Sequence, residues 1–184
     1  MQLLEHSLSN RIMALLRFLF VKIFYIKRLK IYKVSYLGKN LKLIITKHGH
    51  ILVKGKIRII DNVELQSHGQ IIIGNGCGIN SNSRIIAFER IVLGNNVLVA
   101  QFVSILDHDH NIENINGEIT MKNFVTGPIE IGNNVWIGDK VTITKGVKIG
   151  DNVVIGANSV VTKDIPSNSL AVGIPAIVLR KLAK

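Results

Sequence analysis

Residues 107–110 read Asp-His-Asp-His, and they hold two of the chain's 6 histidines. An imidazole titrates near neutrality, with an ordinary pKa of about 6.5, so a positioned histidine can take and return a proton at physiological pH. His108 is the first candidate for such a base and His110 the second. Asp107 or Asp109 could orient the ring, as a carboxylate does in other base-assisted sites. A His-x-His pair on extended backbone also projects both rings to one side, as a metal site needs. A zinc site needs a third ligand as well, and His48, His50 and His68 lie far upstream without suitable spacing. No metal is expected.

The elements that must hold this quartet are written in a period of six. Residues 131–166 divide as IGNNVW, IGDKVT, ITKGVK, IGDNVV, IGANSV and VTKDIP. Aliphatic residues open every hexad, Val or another small residue stands fifth in most, and Gly, Asn and Asp cluster between. Upstream, Leu93, Val99 and Ile105 form one block, Ile73, Ile79 and Ile85 another, and Ile59 and Leu65 begin the series. The register slips by two between blocks, which predicts a slightly longer corner once per coil. A period of six is neither helical nor a plain strand alternation. It requires a short strand, a turn and a repeat. Three hexads close one triangular coil with the first positions inward, and Gly and Asn supply corners with positive φ. Such coils bury their inner faces only by stacking. From Asp107 to about Gly127 the pattern lapses, and a connection that long is usually functional.

The 184 residues suffice for one well-buried domain, and 47 % hydrophobic with only 5 % aromatic means an aliphatic core. The lone cysteine, Cys77, excludes an internal disulfide, fits a reducing compartment, and reads as a small buried residue. Charge divides the chain. Residues 1–60 hold 13 Lys and Arg against Glu5, whereas residues 61–184 hold 10 against 11 acids. We therefore expect a basic, partly helical amino-terminal segment over residues 1–56 and a repeat domain over residues 57–184. Within the first, residues 12–26 predict a helix with Ser7 or Ser9 as N-cap. It is too short and too interrupted by Arg17 and Lys22 to span a bilayer. Its apolar residues surround the axis, so it packs on the main domain or another subunit, or else attaches residues 1–35 to a membrane surface. Nucleic acid is not an expected partner, because the repeat domain is near neutral and the basic segment lacks a binding motif.

The hexads resemble those of the hexapeptide-repeat acyltransferases. The segment IGNNVWIGDKVTITKGVKIGDNVVIGANSVVTKDIP with AVGIPA is similar to galactoside and maltose acetyltransferases. IIAFERIVLGNNVLVAQFVSILDHDHN is similar to O-acetyltransferases of bacterial O-antigen, colanic acid and capsule. The resemblance implies an all-β, left-handed parallel β-helix with a protruding active-site loop, and Pro175 suits the first turn of a short carboxyl-terminal helix. It implies a cytoplasmic homotrimer that moves the acetyl group of acetyl-CoA to a sugar hydroxyl of a surface polysaccharide or its precursor. A loop histidine is the base, and no enzyme nucleophile is needed. By the same resemblance Asn80 and Trp136 face the acceptor. Trp136, Gly138, Gly156, Ala157, Thr162, Lys163, Arg180 and Lys181 face the donor, the small residues beside the pantetheine and the cations at the phosphates. Alternatives are a small-molecule acceptor (a sugar, serine or antibiotic), a zinc enzyme of the γ-carbonic anhydrase type, and a non-catalytic coil.

Overall fold

The computed structural model describes residues 8–25, 27–33 and 35–182. Three sheets of six, eight and six strands run side by side, each strand paired in parallel with its counterpart one coil away except the last strand of the second sheet. The chain is thus a parallel β-solenoid, as the hexads predict. Its core is three aliphatic rows. Ile51, Ile71, Ile91 and Ile129 stand in register in the first sheet. Ile59, Ile79, Val99, Ile137 and Ile155 do so in the second. Leu65, Ile85, Ile105, Ile143 and Val161 complete the third. All are buried. Each full burial of such a side chain favours folding by about 1.5–3 kcal/mol. Cys77 is buried too, and its thiol donates to the Gly94 carbonyl at 3.1 Å.

The rows explain the slipping register. In the third sheet Leu65, Ile85 and Ile105 follow one another at 20 residues, but Ile143 and Val161 at 18. The two extra residues lengthen the corner that leads from the third sheet back to the first. The other corners are tight and need left-handed backbone. One column of them holds Asn40, Asn62, Asn82, Phe102, Lys140 and Asn158, all with φ between 52° and 61°. Asn tolerates that region and its amide serves a second purpose: Asn40 Nδ2 donates to Asn62 Oδ1, and Asn62 Nδ2 to Asn82 Oδ1.

Three expectations need correction. The coil does not begin at residue 57. Strands Leu29–Ile31, Tyr36–Leu37, Lys42–Ile45 and His50–Val53 already pair into the three sheets. Lysines and histidines at their outward positions hide the sixes. The carboxyl-terminal helix is a strand, Ala176–Lys181, paired antiparallel with Ser169–Gly173. Gly173, at φ 106°, turns the chain, and the β-branched Ile177 and Val178 suit the open sheet edge better than a helix. Finally, residues 107–127 are no irregular loop but a hairpin of His108–Ile115 and Glu118–Thr126. Asn116 and Gly117 both have positive φ, 53° and 87°, the requirement of a type I′ turn.

The predicted amino-terminal helix spans Leu8–Phe24. Ser9 lies inside it and so is not its cap, and Ser7 lies outside the described residues. Ala14 and Phe18 are its buried residues. Arg17 Nη1 donates to the Leu37 carbonyl at 3.1 Å and the Tyr25 hydroxyl to that of Leu43 at 3.4 Å, which lays the helix against the first coil.

Two stability outcomes follow. Ile85→Ala, in the third row, lowers the unfolding free energy by about 2–5 kcal/mol in urea denaturation. Phe102→Asn raises the thermal midpoint, because it relieves a bulky side chain from left-handed backbone where Asn is at ease.

Candidate active site

Alternation along the last strand before the hairpin decides which acid faces in. Ile105 points inward, so Asp107 does as well, and its side chain is fully buried. A buried carboxylate must be paired. Asp107 Oδ1 accepts from the Phe88 backbone N–H at 2.7 Å, and Oδ2 accepts from Glu89 and Arg90 at 2.9 and 2.8 Å. These three donors form the lengthened corner of the preceding coil. Asp107 therefore closes a corner of the scaffold while its charge stays in the site.

His108, next along, turns outward over that corner. Its ring lies 4.1 Å from the Phe88 ring and 5.4 Å, edge-on, from Phe124 on the opposite hairpin strand. Phe88 in turn lies 4.3 Å from His68. His68, Phe88 and His108 are thus equivalent corner positions of three successive coils. Only 17 % of the His108 side chain remains exposed. Nδ1 is buried without a hydrogen-bond partner, 3.6 Å from Asp107 Oδ1. That separation exceeds a hydrogen bond but holds the nitrogen in the field of the carboxylate. Burial pushes the His108 pKa below its ordinary value, and attraction from Asp107 opposes this without cancelling it. The lowered pKa favours the neutral ring.

His110 is exposed and rests against Phe124 at 4.8 Å. Asp109 is two-thirds exposed, accepts from the His110 backbone N–H, and stands 3.6 Å from Lys145 Nζ. Neither has the fixed surroundings of the Asp107–His108 pair. Among the described residues, no group of three or more His, Cys, Asp or Glu side chains could hold a metal.

The other predicted residues fall elsewhere. Asn80 and Trp136 line one groove of about 800 Å³ on the outer face of the second sheet, with Tyr36, Arg58 and Leu98. Trp136 is 56 % exposed there. His108 is not part of that lining. Gly138 and Gly156 occupy successive coils, and a Cβ on Gly138 would come within 2.7 Å of the Ala157 nitrogen, one on Gly156 within 2.7 Å of Val172 Cγ1. Close coil-to-coil approach thus accounts for both. Ala157, Thr162 and Lys163 are exposed. The register of Thr142 with Val160 makes Lys145 and Lys163 equivalents one coil apart, at the corner that follows the third sheet. Arg180 and Lys181 lie on the antiparallel edge strand, where Lys181 Nζ reaches Ser169 Oγ at 3.3 Å. Phe88, Phe124, His68 and Lys145 escape sequence reasoning. The 20-residue coil length was the signal for the first and third.

Comparison with known proteins agrees with the fold. The family described as bacterial transferase hexapeptide (six repeats) matches residues 128–163. Galactoside O-acetyltransferase of Escherichia coli strain K12 is 46 % identical over 95 residues, covering 50 % of this chain and 44 % of that protein. The chain spans about half the length of the curated relatives it matches first. Among solved structures, a hexapeptide-repeat acetyltransferase of Vibrio cholerae O1 biovar eltor, in complex with acetyl coenzyme A, is 27 % identical with a TM-score of 0.61 and covers 85 % of this chain and 72 % of that one. A maltose O-acetyltransferase of Clostridium difficile 630 is 28 % identical with a TM-score of 0.53, covering 100 % of this chain and 80 % of that one.

The site yields two outcomes that do not depend on turnover. Asp107→Ala leaves three corner N–H groups without an acceptor and costs about 1–3 kcal/mol or more of stability. In Asp107→Asn, the lost charge lets the His108 pKa fall further, and imidazole NMR titration reads the shift.

Proposed function

We propose that this chain, a member of the bacterial hexapeptide-repeat transferase family, is an acetyl-CoA-dependent O-acetyltransferase with His108 as its general base. The observation that carries the reading is the setting of His108: a largely buried ring against Phe88 and Phe124, with Nδ1 3.6 Å from a pinned carboxylate. Acetyl-CoA, when bound, supplies the acetyl group as a thioester. His108 Nε2 takes the proton of the acceptor hydroxyl as its oxygen bonds to the acetyl carbon, and returns that proton to the departing sulfur. Asp107 offsets the positive charge held by the ring between these transfers.

Basic residues near this corner and on the edge strand suit the co-substrate. Lys145 and Lys163 offer two cations one coil apart for its phosphates, and Arg180 and Lys181 offer more on the edge strand. The acceptor is a sugar hydroxyl of a bacterial surface polysaccharide or its precursor, and the reaction is cytoplasmic. The active unit is a homotrimer. Exposed Ile112, Ile119 and Met121 on the hairpin support this, since a two-stranded ribbon with bare apolar side chains needs a neighbour to cover it. The groove with Asn80 and Trp136 then serves a site shared between subunits.

Thiol release from acetyl-CoA with candidate glycans tests the reading. His108→Ala should lose about 100-fold or more in turnover, the usual worth of a positioned base, while His110→Ala retains most of it. Loss in His110→Ala alone would transfer the role. In the wild type the acid limb of the rate profile should lie below pH of about 6.5, the ordinary imidazole value, because burial keeps the base neutral to lower pH.

A further inference from the structure

The helix Leu8–Phe24 turns its apolar side to solvent. At about 100° per residue, Ala14, Phe18 and Val21 fall on one face, and they are the residues that meet the coil. The opposite half of the helix carries Ile12, Leu16, Leu19, Phe20 and Ile23 in one broad field. Leu16 is 53 % exposed, Phe20 59 % and Ile23 70 %. An ordinary surface helix has its polar residues there. Here the charged residues stand only at the borders. Arg11 and Lys22 flank the field on one side and Arg17 on the other. The basic run continues with Lys27, Arg28, Lys30 and Lys33, and no acid occurs between residues 8 and 33.

We infer that this bare half is a docking face for an anionic lipid bilayer, in which the helix lies flat at the headgroup–acyl boundary. Two observations choose the occupant. No described helix is long and apolar enough to cross a membrane, so the apolar field is suited to lying in the interface. The charge distribution then separates a bilayer from a second copy of the chain. Residues 1–60 hold 13 Lys and Arg against one acid, so helices brought together from two copies repel. Anionic headgroups instead attract the cations that border the field and follow it. The field is also half a circumference wide, broader than the seam that two paired helices share. Docked this way, the helix binds lipid on one face and the first coil on the other, through Arg17 to Leu37 and Tyr25 to Leu43. The solenoid is thereby tethered by its amino-terminal end. The placement does not depend on the acetyl-transfer reading, but it would bring the base to lipid-carried acceptors.

Sedimentation of the full chain with vesicles tests it. The wild type should pellet with vesicles of phosphatidylcholine mixed with phosphatidylglycerol, far less with phosphatidylcholine alone, and the difference should shrink as salt is raised. The triple variant Leu16→Gln, Phe20→Gln, Ile23→Gln should partition about tenfold less or weaker still, given the apolar area removed. Its thermal unfolding should match the wild type, since these side chains are exposed. Equal binding by the variant would overturn the inference, as would failure of the wild type to pellet with the anionic vesicles. A wild type that sediments in solution as a larger species than the variant, and ignores vesicles, would assign the face to a second copy instead. Vesicle binding needs no turnover, and acetylation of a soluble acceptor by the variant should be unchanged. A failed docking and a failed catalytic reading are therefore told apart.

Discussion

A coil of this chain has no interior until another coil lies on it. Its strands are two to five residues long, too short to hold a sheet, and its inward side chains line a space that only the next coil closes. Everything else follows from satisfying both requirements at every step. Parallel pairing consumes the backbone groups along the axis, and the inward rows must repeat the same shape at the same place. Glycine stands at Gly138 because the next coil's backbone passes where a Cβ would be. Asparagine fills the left-handed corners and bonds to its own counterpart above.

The site is a local exchange within that scheme. Where Ser67 and Ala87 fill the inward place at the end of two earlier third-sheet strands, the next coil puts Asp107. Its carboxylate holds the longer corner by three backbone donors, so scaffold and electrostatics share one group. The same corner stacks Phe88 beneath His108 and starts the hairpin that brings Phe124 over it. Burial thus lowers the imidazole's pKa, while the carboxylate beside it favours the protonated form. Both tendencies suit the base we propose, which must first lack a proton and then hold one.

Much of this was legible in the residues, though unevenly. The six consecutive hexads from Ile131 announced the solenoid, because nothing but a coil repeats aliphatic residues at six. The earlier coils were harder to see. Their corners vary, and outward Lys30, Lys42 and His50 obscure the inward series. Pro175 suggested a helix by a rule about helix starts, but the free edge of the second sheet offered hydrogen bonds that a helix could not. The Asn116–Gly117 pair was a hairpin signal that the surrounding polar run concealed. At the site, the Asp-His pairing was readable, and parity from Ile105 would have turned Asp107 inward. The ring stack was not readable, because His68, Phe88 and His108 become neighbours only once the coil is known to measure 20 residues.

Stacked coils of this kind carry a hazard at their ends. The last strand of each sheet presents unpaired donors and acceptors in the geometry that a further strand would complete, and two copies could join end to end into a fibre. The chain answers differently at its two ends. The helix lies against the first coil, and at the other end Ala176–Lys181 folds back antiparallel along Ser169–Gly173. An antiparallel last strand offers a hydrogen-bond spacing that does not match the parallel ladder of another molecule's first coil. The two elements therefore oppose end-to-end polymerisation where they lie: the helix at the first coil, and the antiparallel strand along the edge of the second sheet.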